Sequence, residues 1–310
     1  MIRLLGTKLN NNDYEAMWNV YSDAIKDTPY VPVTLDFFKD HFYPSWANIT
    51  SWGYEQDGQM VGVISGMIYD ERVFVTIFGV KRDYQRQGIG NALINTLEEH
   101  FKALGYKAIN FSNMSTINCP WYLKGDFQHN GAPGVMVNSP IYLFLLHHGY
   151  VSACMEDAFL VDLSTYNIPS NPAEGYSIGF YEPSEYQKVQ DFCEDIKIEV
   201  PFVRCIQANL ALPKPLPFLV VRHEDKIVGW TGALWNEPSG RGHFDGVCVS
   251  EAGRGKGIGT ALFSRLMIES KKNGAKYMSF FTGLDNYARK IYLGIGGKIY
   301  KTFSMMRKKF

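Results

Sequence analysis

Gln85-Arg86-Gln87-Gly88-Ile89-Gly90-Asn91-Ala92-Leu93 and Arg254-Gly255-Lys256-Gly257-Ile258-Gly259-Thr260-Ala261-Leu262 are two versions of one phrase in a chain of 310 residues. Each follows an apolar run, ending at Val80 in the first case and Val249 in the second. Each opens a segment with apolar residues at helical spacing: Ile89, Leu93, Leu97, Phe101 and Leu104, then Ile258, Leu262, Leu266 and Ile268. A glycine-rich turn from strand to helix leaves backbone N–H groups pointing outward at the positive end of the helix dipole. Both copies therefore read as anion sites.

The surroundings of the two copies repeat as well. In the first half, helices are expected over Tyr14 to Thr28 and Thr34 to Phe42, then strands over Thr50 to Gln56, Met60 to Ile68 and Arg72 to Val80, before the loop, its helix and a strand Ala108 to Ser112. The second half gives a strand Tyr176 to Phe180, helices near Ser184 to Asp195 and Phe202 to Leu210, and strands Phe218 to His223, Lys226 to Leu234 and Gly242 to Val249. Its loop follows, then a strand Tyr277 to Phe281 and a helix Asp285 to Leu293. The stretch from Ser164 to Gly175 is polar and rich in turn formers, with Pro169 and Pro172, and reads as the linker. Two domains are expected, 1–165 and 166–310. Each is an α/β mixed sheet in which an antiparallel meander is followed by a loop-helix crossover.

Lys plus Arg and Asp plus Glu both total 31, so the formal net charge is zero and no basic block suggests a nucleic-acid footprint. No stretch is apolar enough to span a bilayer, and the beginning Met1-Ile2-Arg3-Leu4-Leu5-Gly6-Thr7 lacks a signal-peptide core. The expected location is the cytoplasm, with no membrane or nucleic-acid partner, as a monomer or homodimer. The cysteines Cys119, Cys154, Cys193, Cys205 and Cys248 are odd in number and share no ligand spacing, and His147-His148 has no convergent ligands nearby. No metal is expected.

Two phosphate-binding motifs fail on these residues. The P-loop needs Gly-Lys followed by Ser or Thr, but Lys256 precedes Gly257, and the dinucleotide fingerprint needs a third glycine where Thr260 or Leu93 stands. The loops instead resemble the acetyl-CoA pyrophosphate loop of the GNAT superfamily of N-acetyltransferases, whose pattern is Gln or Arg, two residues, Gly, one residue, then Gly or Ala. Gln85, Gly88 and Gly90 match it, as do Arg254, Gly257 and Gly259. The resemblance implies two tandem acyl-CoA N-acyltransferase domains with acetyl-CoA as the donor. It implies that Gln85, Arg86, Gln87, Gly88, Ile89, Gly90 and Asn91, with Phe78-Gly79-Val80 on the preceding strand, form one cofactor site. Arg254, Gly255, Lys256, Gly257, Ile258, Gly259 and Thr260, with Val247-Cys248-Val249, form the other.

Acetyl transfer to an amine needs a bound thioester, a neutral amine and a proton for the departing thiolate. In the family a tyrosine follows the pattern Asn, two residues, Ala, three residues, Tyr, three residues, Gly-Phe. Asp285, Ala288, Tyr292, Gly296 and Gly297 occupy those places here, with Asn286 one position from the amide. Tyr292 is the implied general acid. Asp245 is the candidate base, on the same expected strand face as His243, Val247 and Val249, with His243 and Glu237 in reserve. Aligning Gly149-Tyr150 with Gly-Phe puts Leu145 at the tyrosine position of the first half, and Thr76 stands where Asp245 is. The first half also inserts Asn113 to Val137, a length typical of lids and binding surfaces. The reading is an N-acetyltransferase acting on a small-molecule or peptide amine through its second domain. The alternative is an acyl-CoA-binding regulatory protein without turnover.

Overall fold

The computed structural model describes residues 1–111 and 119–310; Ser112 and the start of the insertion, Asn113 to Asn118, lie outside the described residues. The chain divides into two compact units, Met1–Glu156 with Lys301–Phe310, and Asp157–Tyr300. The C-terminal ten residues, which a division after residue 165 gives to the second half, thus belong with the first unit. Their strand, Lys298–Lys309, runs antiparallel to Ala108–Phe111 with Met306 opposite Phe111.

In the first unit the sheet order is Ile2–Gly6, Asn48–Gln56, Gln59–Tyr69, Arg72–Val80, Ala108–Phe111 and Lys298–Lys309. The first of these strands, short and mostly exposed, was not anticipated from the sequence. The central strand Gln59–Tyr69 is buried on both faces, which its nearly unbroken apolar run requires. Val61 and Ile64 face the loop helix Ile89–Ala103, through Leu93, Leu97 and Phe101. Met60, Val63 and Met67 face the helices Asn11–Ala24 and Leu35–Phe42, through Met17, Val20, Phe38 and Phe42. Leu104, expected on the apolar stripe, is exposed, because the helix has ended and Gly105 turns the chain away.

The second unit carries a four-stranded sheet in the order Tyr176–Phe180, Leu219–His223, Lys226–Thr231 and Val247–Val249. Alternation along Leu219–His223 sorts the two cores. Leu219 and Val221 pack with Ile258, Leu262 and Leu266 of the loop helix Ile258–Lys272, while Val220 packs with Val189, Phe192 and Ile206 of the helices Tyr186–Asp195 and Val200–Leu210. One expectation needs correction here. The strand expected over 242–249 is regular only at Val247–Val249, and 243–246 are irregular. Gly246 has φ +139°, and a Cβ there would meet the Phe202 ring at 2.4 Å, so the chain leaves the ladder where that ring intrudes.

Candidate active site

Both loops follow one plan. A short 3-10 turn, Arg82–Tyr84 or Glu251–Gly253, ends the strand, and a glycine with left-handed backbone then caps the helix: Gly88 at φ +83° and Gly257 at φ +72°. Neither cap has a side chain to satisfy the first turn. The first helical bonds run from Ala92 N–H to the Gly88 carbonyl at 3.0 Å and from Ala261 N–H to the Gly257 carbonyl at 3.1 Å. The amides of Ile89, Gly90 and Asn91, and of Ile258, Gly259 and Thr260, therefore have no acceptor inside their helices. Space beside Gly88, Gly255 and Gly257 is open, with no atom within 4 Å of where a Cβ would stand. These cradles fit a pyrophosphate.

The polar residue that starts each motif acts on the protein. Gln85 Nε2 donates to the Val80 carbonyl at 3.0 Å and Arg254 Nε donates to the Val249 carbonyl at 3.2 Å, so each ties the loop to the last residue of its strand. Lys256 donates to the Tyr176 hydroxyl at 2.8 Å. Asn91 Oδ1 lies 3.0 Å from His148 Nε2.

The strand before each loop then parts from its parallel neighbour. In the first unit the pairing covers Val73 with Ile109 and Phe74 with Asn110, and in the second a single bridge joins Arg241 to Tyr277. Beyond these points lie Phe78-Gly79-Val80 and Val247-Cys248-Val249. The first opening is lined by rings: Phe78 lies 5.5 Å from Phe144 and 6.4 Å from Phe111, centroid to centroid. In the second, Val247 and Val249 pack on the loop-helix core, and burial pushes the Cys248 thiol on the other face up to about 11.

Four ionisable side chains meet beside the second opening. His243 Nε2 and Asp245 Oδ1 are 2.5 Å apart, and His243 Nδ1 lies 3.7 Å from Glu237 Oε1, which is ion-paired with Arg241. Glu237 and Arg241 are buried, whereas His243 and Asp245 retain partial exposure. Arg241 donates through Nε to Ser279 Oγ at 2.9 Å and through Nη2 to the Ser279 carbonyl at 2.9 Å. The Trp235 indole stacks on His243, centroids 4.3 Å apart. Burial alone would lower the His243 pKa; the carboxylates of Asp245 and Glu237 outweigh it and hold the imidazole above its ordinary value, with Arg241 opposing them. Residues 243 and 245 thus meet side chain to side chain where the backbone over 243–246 is irregular. Arg241 and Ser279 were not legible as site residues; the only trace was ionisable residues at alternate positions, Arg241, His243 and Asp245.

Tyr292 sits on the helix Ala288–Gly294 and is 5% exposed. Its ring packs against Phe280, Phe263, Phe159 and Phe244 at centroid distances of 4.4, 4.9, 5.4 and 6.5 Å. Asn286 accepts from the Ala288 amide at 2.9 Å and so shapes the turn into that helix. At the other end Gly296 has φ +80°, and Gly297 N–H donates to the Tyr292 carbonyl at 2.9 Å. A Cβ on Gly297 would come within 2.6 Å of that carbonyl oxygen, so the chain here leaves no room for a side chain. The first unit ends its helix Pro140–His147 in the same way: Gly149 has φ +80° and Tyr150 N–H donates to the Leu145 carbonyl at 3.0 Å. Leu145 and Tyr292 are thus equivalent positions, and Leu145 is fully buried.

The described part of the insertion is packed rather than free. Trp121–Tyr122 pairs with Gln128–His129, Tyr122 N–H donates to the Pro29 carbonyl at 2.7 Å, and Trp121 is fully buried. Among the described residues no group of three His, Cys, Asp or Glu is placed to hold a metal ion, and no helix is long and apolar enough to cross a membrane.

The profile of the acetyltransferase (GNAT) family matches residues 14–124 and 180–295. Solved structures of similar fold include a glucosamine N-acetyltransferase region of a fungal multi-domain GH3 β-N-acetylglucosaminidase, with TM-score 0.70 and 15% identity over 99% of this chain. This chain spans only 38% of that protein. A GCN5-related N-acetyltransferase from Sphaerobacter thermophilus has TM-score 0.65 and 14% identity, over 100% of this chain and 95% of its own. A tandem GNAT protein from the clavulanic acid biosynthesis pathway has TM-score 0.64 and 14% identity, over 100% and 98%. At such identities the likeness is one of fold. No protein of curated function matches the chain by sequence.

Proposed function

Because the chain belongs to the GNAT acetyltransferase family, we propose that its second unit transfers an acetyl group from acetyl-CoA to the amine of a small molecule or peptide, by direct attack in a ternary complex. The observation that carries this reading is the convergence, in one unit, of the Gly257 cradle, the parted strands and the His243–Asp245 pair. Bound acetyl-CoA would supply the activated acetyl group and a thiolate leaving group. The chain's own residues do the rest. The amides of Ile258, Gly259 and Thr260 hold the pyrophosphate, and Val247-Cys248-Val249 offers its backbone to the pantetheine arm. The His243–Asp245 pair takes the proton that the attacking ammonium must lose, since only the free amine is a nucleophile. Tyr292 returns a proton to sulfur, a modest demand because a thiol has a pKa of about 8.5.

The first unit keeps the cradle and lacks the chemistry. Leu145 cannot donate a proton, Thr76 stands in for the carboxylate, and aromatic side chains line the opening. It supports the second unit without turning over.

A free-thiol assay with acetyl-CoA against polyamines, aminoglycosides, other small amines and peptide N-termini tests the reading. Thiol release that depends on amine and is lost in a Gly257 loop variant is the expected result. Acetyl-CoA binding without release across the whole panel would replace it with a regulatory acyl-CoA sensor.

A further inference from the structure

We propose that Glu237 and Arg241 are positioning residues of the transfer site: as a buried, charge-balanced clamp they fix the ring of His243, and through it Asp245, in one orientation. The inference rests on the reading of His243–Asp245 as the proton acceptor.

The clamp is held on three sides. Glu237 and Arg241 close a tight turn, with Glu237 N–H on the Arg241 carbonyl at 2.8 Å and Gly240 N–H on the Glu237 carbonyl at 2.9 Å. Arg241 is forked onto Ser279 of the neighbouring strand Tyr277–Gly283. His243 is drawn into the same assembly by its amide, which donates to the Trp235 carbonyl at 2.8 Å, and by the indole on its face. The imidazole then has Asp245 in hydrogen-bond contact at Nε2, and Glu237 Oε1 3.7 Å from Nδ1, a charge contact beyond hydrogen-bond length.

A pair of charges at 5% and 6% exposure needs an explanation other than stability. Well-packed apolar side chains of similar volume stabilise a core as well as a buried ion pair or better. What this pair adds is a fixed carboxylate 3.7 Å from Nδ1, with the Arg241 guanidinium ion-paired to it. The other groups facing the assembly are few. The Cys205 thiol of the helix Val200–Leu210 flanks Asp245, its pKa raised by burial and by that carboxylate, and Tyr277 lies beside Arg241.

The test is an NMR pH titration of the His243 ring, assigned by its loss in His243→Gln, in parallel with the pH dependence of kcat/KM, which reports the same free enzyme. Glu237→Gln should lower the His243 pKa by roughly half a unit or more and move the acid limb of kcat/KM the same way, leaving KM for acetyl-CoA within about twofold. Glu237→Asp, which keeps the charge, should recover most of both shifts. If the single variant fails to fold, the double variant Glu237→Gln/Arg241→Met removes both buried charges together and should show a smaller fall of the same sign. A His243 titration unmoved in the folded variants, or one that moves without the acid limb following, overturns the proposal. If no amine is acetylated by the unmodified protein, the acetyl-transfer reading falls instead, and the titration still decides whether the clamp sets His243.

Discussion

His243 Nε2 lies 2.5 Å from Asp245 Oδ1, while Glu237 Oε1 faces the opposite ring nitrogen. The imidazole pKa is raised above its ordinary value of about 6.5. As an acceptor of the ammonium proton the pair must be unprotonated, so kcat/KM should climb with pH through that raised value. Asp245→Asn removes one of the groups that hold the ring up and should move this limb to lower pH, as well as lowering the plateau. The stability sign is the reverse. A raised folded pKa contributes stability that is complete below the unfolded value and is lost as pH rises through the folded one. The stability gap between the unmodified protein and His243→Gln should therefore narrow as pH rises above about 6.5. A pH–rate profile that is unmoved in Asp245→Asn would place the base elsewhere.

The two loops give a paired comparison. Gly257→Ala forces an L residue to φ +72°, at a cost of about 1–2 kcal/mol, and projects a methyl group into the open cradle. KM for acetyl-CoA should rise about tenfold or more, with the melting temperature only modestly lower. Gly88→Ala meets the same backbone strain at φ +83° and should cost similar stability while leaving kcat and KM alone. Steady-state kinetics beside thermal melts separate the effects; a loss of turnover in Gly88→Ala would show that the first unit takes part in the reaction.

The loops and the meander were legible because they are written in local chemistry: glycines that take a positive φ, and alternation. The register of Leu145 with Tyr292 was also legible, since each is followed four residues later by a glycine, Gly149 and Gly296, and both glycines take a φ of +80°. What was hidden depends on contacts remote in sequence. Phe202 breaks the strand at Gly246 from another helix, and Ser279 recruits Arg241 from another strand. Alternation put Asp245 and His243 on one strand face, and the two side chains are in contact although the backbone there is irregular. Nothing local in the last ten residues marks them as belonging with the first unit.

Leu145 separates packing from chemistry. It is fully buried in the core that joins Leu93, Leu97 and Phe111. Leu145→Ala should cost about 2–5 kcal/mol, visible as a lower denaturant midpoint. Activity per folded molecule should not change, because the position that carries Tyr292 in the second unit has no reacting group here. A specific activity that falls while the protein is fully folded would show the first unit to be catalytic.

Tyr292→Phe is the sharpest test of the acid. The ring already lies among four phenylalanines, so deleting the hydroxyl keeps the packing of the aromatic cluster. If the hydroxyl serves the leaving thiolate, kcat should fall at least about tenfold with KM for acetyl-CoA unchanged, since the interaction matters only as sulfur departs. The defect should shrink with a thioester whose thiol is more acidic, because such a thiolate leaves without help. Stability is the control: a core tyrosine with no chemical duty would show its loss in the melting temperature and not in kcat. An unchanged kcat at saturating substrate, with either thioester, would remove Tyr292 from the mechanism and leave proton return to solvent.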